Sequence, residues 1–212
     1  TAVIAGLSNA QLAGLSPQQI SDLTTAQVKA LTSSQVAGLS TTQFASIDTV
    51  DLQQLSTAAV AALTTAQAVV MTADQLAALS TAQITALEAA DVGVLKGSVL
   101  QSLTTAQAAA ITSVQSVGLG SAQIAALEAD DLAKLSTNVV SNLTDAQLDG
   151  LTAQQVKDLT TTQFSAFKAA QVTGLSAAQI AAIDTDDIQK LSTSAIAGLT
   201  TAQAAVLSAD QL

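Results

Sequence analysis

Histidine, cysteine, tryptophan, tyrosine and arginine are all missing from these 212 residues, which hold one proline and three phenylalanines. Without cysteine there can be no disulfide and no thiolate metal site. With no imidazole, no serine beside a base at motif spacing and no glycine-rich phosphate loop, nucleophilic, imidazole-based and P-loop chemistries lack their parts. The expectation is that the chain is not an enzyme. Positive charge is scarce too: six lysines stand against sixteen acidic residues, for a net charge of −10. Such a surface repels phosphate and anionic lipid, so no nucleic-acid partner is expected. Ser, Thr and Gln interrupt every apolar stretch before the roughly 18 to 20 residues a membrane span needs, so no membrane insertion is expected either. No signal peptide is visible. Phe44, Phe164 and Phe167 are the only aromatics, which leaves a thin aliphatic core between close backbones.

What is present is an octad. A large apolar residue recurs at every eighth position from Leu7 to Leu207, and the chain reads as 26 copies of L-[S/T]-x-x-Q-[V/I/L]-x-x. With Leu as position 1, position 2 is Ser or Thr in 19 octads and position 5 is Gln in 18. Ser/Thr followed three residues later by Gln is a capping box, so each octad starts a helix. Positions 1 and 6 then form the hydrophobic staple. Pro17 falls at the first helical position, where its missing N–H costs nothing. Seven of the ten glycines (Gly6, Gly14, Gly38, Gly118, Gly150, Gly174, Gly198) fall at position 8, where a left-handed residue would end the helix. The register predicts helix over positions 3 to 7 and a bend over 8, 1 and 2.

One continuous helix is excluded, because eight residues at about 100° each overshoot two turns by about 80° and wind the Leu stripe around the cylinder. The predicted fold is all-α: a solenoid, or superhelix, of very short helices, one per octad. These are stabilised by stacking Leu and Val of successive turns, since such helices are marginal alone. A β-solenoid is the rival; the Ala, Gln and Leu content and the scarcity of Gly and Asn at the corners argue against it. With no linker or composition shift, residues 1–212 are expected to form a single continuous array. A chain opening at octad position 3 and closing at position 6 is expected to be a segment of something longer.

Eight octads depart from the pattern at position 5, in four adjacent pairs. Those opening at Ile47, Leu87, Leu127 and Ile183 carry an acid at position 2 and Asp51, Asp91, Asp131 or Asp187 at position 5. Each is followed by an octad with Ala59, Val99, Val139 or Ala195 at position 5. These acidic modules recur at intervals of five, five and seven octads, and residues 1–76 resemble residues 137–212 at an offset of 136. An apolar residue where Gln normally faces the cap predicts that Ala59, Val99, Val139 and Ala195 are contacts between neighbouring coils or between chains. Oxygen ligands at Asp184, Asp186 and Asp187, or at Glu128, Asp130 and Asp131, are candidates for calcium. The competing account places carboxylates at helix N-termini for capping and dipole reasons, with Lys134 and Lys190 as helix partners, and expects no metal and no cofactor. The Thr pairs, such as Thr24-Thr25 and Thr104-Thr105, raise ice binding, but the first Thr of each already serves as a cap.

The L-T-T-A-Q-V-x-A-L unit resembles the repeats of very long bacterial secreted and cell-surface proteins of the adhesin or hemolysin type. That resemblance covers the whole chain and transfers no catalytic residue. It implies an extracellular or bacterial cell-surface location and a structural role. The expectation is a stalk, surface layer or self-associating filament, with self-association as the main partnership. The alternative is an adhesion or scaffold module that binds a cell-surface glycan or protein along the solenoid.

Overall fold

The computed structural model describes residues 2–212, leaving Thr1 outside. The described residues form a solenoid of 26 α-helices, each of four to six residues, and contain no strand. From Asn9 onward every helix begins at octad position 3, as the capping box demands. The octad opening at Leu63 shows the local logic. Thr64 Oγ1 accepts from the Gln67 amide at 3.3 Å, and Gln67 Oε1 accepts from the Thr64 amide at 2.9 Å. The Ala68 amide bonds back to the Thr64 carbonyl at 2.9 Å, and Met71 closes the turn on Ala68 at 3.1 Å. Two extended residues then break the helix, Met71 at φ −58°, ψ 134° and Thr72 at φ −88°, ψ 164°.

The bend therefore differs from the one expected. No described residue, glycine included, has a positive φ. Gly14 and Gly38 close their helices in right-handed geometry, and Gly118 and Gly174 are still helical. Positions 1 and 2 alone make the turn. What several position 8 glycines supply is room: a Cβ on Gly150 would lie 2.8 Å from Ser121 Cβ and 2.9 Å from the Ser121 carbonyl oxygen. One on Gly174 would lie 3.0 Å from Asp145 Cγ. Both neighbours precede the glycine by nearly one full coil.

The contacts divide the chain into two compact units, one reaching to Ala110 and one spanning Ile111–Leu212. Within each, a helix packs on the helix three further along: Thr41–Ala45 on Thr65–Val70 in the first, Ala153–Lys157 on Ala177–Ala182 in the second. Position 1 is buried from Leu31 to Leu191, and position 6 from Ile4 to Ile188. Phe44 and Phe164 are fully buried position 6 residues, and Phe164 stacks on Phe167 with centroids 5.4 Å apart. Burying each such side chain stabilises by about 1.5 to 3 kcal/mol, which a four-residue helix cannot supply from its own hydrogen bonds.

Candidate functional site

The position 5 glutamine does more than cap. Gln67 Nε2 donates to the carbonyls of Val36 at 2.8 Å and Leu39 at 2.9 Å, residues 31 and 28 earlier in the chain. Gln83 repeats this on Leu52 and Leu55, and Gln107 on Leu76 and Leu79. In the second unit Gln147, Gln163, Gln171, Gln179 and Gln203 reach back by the same two intervals. The accepting carbonyls belong to positions 6 and 1, at the C-terminal end of a short helix, where backbone acceptors lack helical partners. One amide thus holds the N-terminus of its own helix through Oε1 and the C-terminus of another through Nε2. A reach of 28 to 31 residues sets one coil at between three and four octads. Sequence reasoning assigned Gln to the capping box and missed its second role. The signal was there: a capping box accepts Glu as readily, yet no octad has Glu at position 5. An ionised carboxylate only accepts, whereas the amide both accepts and donates.

The coil contact has a direction. Gln11 and Gln19 in the opening octads are exposed, and their Oε1 atoms accept only from their own cap residues, Gln11 from the Ser8 amide and hydroxyl and Gln19 from the Ser16 amide. At the other end the position 6 residues Ile196, Ala204 and Leu212 are exposed.

At the acidic octads the clamp is missing. Asp91 and Asp131 are each 2 % exposed, and Asp91 Oδ2 and Asp131 Oδ2 find no hydrogen-bond partner. Asp51 and Asp187 are buried as well, and Asp187 Oδ1 is likewise unpartnered. Burial, reinforced by the neighbouring Glu88, pushes the Asp91 carboxyl up to about 6. Burial, with Glu128 and Asp130 beside it, also raises that of Asp131. The position 2 acids Asp48, Glu88, Glu128 and Asp184 accept no side-chain capping bond, so the capping account of these carboxylates fails in geometry. Lys134 and Lys190 make no ion pair; among the described residues only Lys157 does, its Nζ 3.4 Å from Asp184 Oδ1.

The calcium candidates are not brought together. No three acidic side chains among the described residues converge into a group able to hold a metal, whether Asp184, Asp186 and Asp187 or Glu128, Asp130 and Asp131. Ala59, Val99, Val139 and Ala195 are all buried within this one chain, so they line its own interior and offer no surface to a second chain. Two open clefts lie over acidic octads, one at Asp48 and one at Asp184. No described helix is long and apolar enough to cross a membrane.

No curated protein matches the chain. A family model described as the ALTTAQ repeat matches it over residues 44–81, 124–161 and 180–212, together just over half of its length. Each matched segment contains one acidic octad, and the first contains the run Ala62-Leu63-Thr64-Thr65-Ala66-Gln67 that spells the repeat. The chain belongs to the ALTTAQ repeat family.

Proposed function

We propose that this is a structural protein of the bacterial cell surface or extracellular space, whose solenoid serves as a stalk, surface layer or self-associating filament. The observation that carries this reading is the glutamine clamp. Its polar groups join one coil to another, in one direction, by a contact that any further coil can repeat. A heterologous contact of this kind, one face meeting a different face, continues without closing. We further propose that the 212 residues act as one continuous array, that the chain catalyses no reaction, and that its location follows the resemblance to secreted adhesin-type repeats. Electron micrographs with sedimentation velocity test the reading: filaments or ordered arrays are expected, and strictly monomeric particles at all concentrations would overturn it. The second reading, an adhesion or scaffold module for a glycan or protein, is favoured by Val114 and Val117. These stand 71 % and 64 % exposed on the single helix Ser113–Gly118.

A further inference from the structure

The two clefts occupy corresponding places in the 136-residue repeat; the second is lined by a lysine, and the first by two further carboxylates, Asp51 and Asp74, whose counterparts Asp187 and Asp210 do not line the second. The first, of about 500 Å³, is lined by Ile47, Asp48, Thr49, Asp51, Asp74 and Gln75 among others. The second, of about 460 Å³, has Ile183, Asp184, Thr185 and Gln211 at the positions of Ile47, Asp48, Thr49 and Gln75. It also has Lys157, whose ammonium sits 3.4 Å from Asp184. The residue 136 earlier is Ser21, so the first cleft has no ammonium of its own. Asp51 lines it at 8 % exposure with no side-chain hydrogen bond or ion pair. Asp48 accepts no capping bond, and Asp74 adds a third carboxylate from the next coil. These carboxylates do not converge as metal ligands do, whereas the cleft has the size of a small organic ligand site.

We propose that the Asp48 cleft binds a primary ammonium group supplied from outside the chain, in the place that Lys157 fills in the second cleft. The group is a lysine side chain of a partner protein or a free alkylamine, and the chemistry is the same for both: three N–H donors offered to carboxylate and threonine oxygens. This inference is independent of the filament reading, since the cleft belongs to the single chain. Because the Lys157–Asp184 pair is itself half exposed, the affinity is expected to be on the order of millimolar and to fall with added salt.

The test is a heteronuclear NMR titration of the full chain with Nα-acetyl-lysine methylamide and, separately, 1,5-diaminopentane. Saturable shifts are expected at the amides of Asp48, Thr49 and Asp74, with none at Asp184 and Thr185. Ser21→Lys should abolish them by supplying the internal cation, and Lys157→Ser should create a second, weaker saturable site at Asp184, whose cleft has one lining carboxylate against three in the first. Far-ultraviolet circular dichroism confirms that both variants keep their helices. Should Ser21→Lys fail to fold, the Lys157→Ser arm still decides. Tighter binding of the lysine derivative points to a protein partner, and tighter binding of the diamine to a free amine. Shifts spread equally over Asp22, Asp158 and other surface acids would overturn the proposal. So would calcium chloride shifting the Asp48 amides at concentrations tenfold below those of either amine.

Discussion

The octads opening at Leu87 and Leu103 share a backbone plan and differ at position 5, and the contrast explains what the repeat is built on. Gln107 accepts from the Thr104 amide at 2.8 Å and donates to the carbonyls of Leu76, Ala77 and Leu79. It is 3 % exposed and fully satisfied. Asp91 is buried as deeply but ends in a carboxylate, which only accepts, and Oδ2 has no partner. The helix around Gln107 runs six residues, Thr105–Ala110, and that around Asp91 four, Ala89–Val92. Packing joins the coils in both octads, since Ala89–Val92 still packs on Thr65–Val70. Only the two-ended amide adds hydrogen bonds from one coil to another, and the acidic octads are places where the solenoid goes without them.

The largest expected effect comes from making the clamped octad resemble the acidic one. Gln107→Glu keeps the length and the capping acceptor but places a charge against two buried carbonyls. It should cost about 3 to 5 kcal/mol near neutral pH, as an uncompensated buried charge does. Urea unfolding followed by circular dichroism measures it, and a loss below about 1 kcal/mol would show that the clamp contributes little. The reverse change, Asp91→Gln, gives the octad an amide able to reach the Val60 and Leu63 carbonyls, 31 and 28 residues earlier. A gain of about 1 to 3 kcal/mol is expected, since each hydrogen bond contributes about 1 kcal/mol and a buried orphan is removed. No gain would mean that the Asp octads hold their coil in a geometry the amide cannot bridge.

Acidity sharpens the same comparison. The Asp91 carboxyl titrates at about 6 in the folded chain because it is buried beside Glu88. The helix it packs on, Thr65–Val70, carries no ionisable group. In the unfolded chain it titrates near about 3.9. A folded pKa above the unfolded one means that the folded state binds the extra proton, so this contribution to stability is complete below about pH 4 and lost as pH rises through about 6. The melting temperature should rise as pH is lowered from about 7.5 to 4.5. Relief of the overall negative charge acts in the same direction, so the diagnostic is the difference between the wild-type chain and Asp91→Asn, whose profile should be flatter. Identical slopes in differential scanning calorimetry would place the pH dependence elsewhere.

Much of this architecture was legible in the octad. The capping box fixed the start of each helix because Ser/Thr and Gln bond to nearby backbone, a local matter that spacing reveals. The Leu7 to Leu207 stripe identified the buried seam, with the terminal octads half exposed for want of a neighbouring coil. The position 8 glycines were misread, since Gly150 answers to Ser121 across the coil contact and no local rule could name that neighbour. For the same reason the clamp was missed at Gln67: its partners lie 28 and 31 residues away, and the coil length that brings them close is a property of the packed chain. The pairing of an acidic octad with an apolar position 5 was visible, but the two clefts and their unequal cation content depend on which side chains meet across coils.

The smallest expected effect concerns the octads that follow the acidic ones. Val99 is 6 % exposed, and the cap amide of its octad belongs to Lys96, which makes no side-chain cap. Val99→Gln gives up the burial of an aliphatic side chain, worth about 1.5 to 3 kcal/mol. In exchange an amide can accept from the Lys96 N–H and donate to the Ala68 and Met71 carbonyls, 31 and 28 residues earlier, for about 0.5 to 1.5 kcal/mol per bond. These terms nearly cancel, so stability should change by less than about 1 kcal/mol in either direction, with helix content and sedimentation unaltered. A loss above about 3 kcal/mol would show that the coil beneath Val99 holds its carbonyls out of reach. The acidic octad would then reshape its successor as well as lack a clamp of its own. A change in assembly with stability preserved would instead mean that this interior position is felt at a contact between chains.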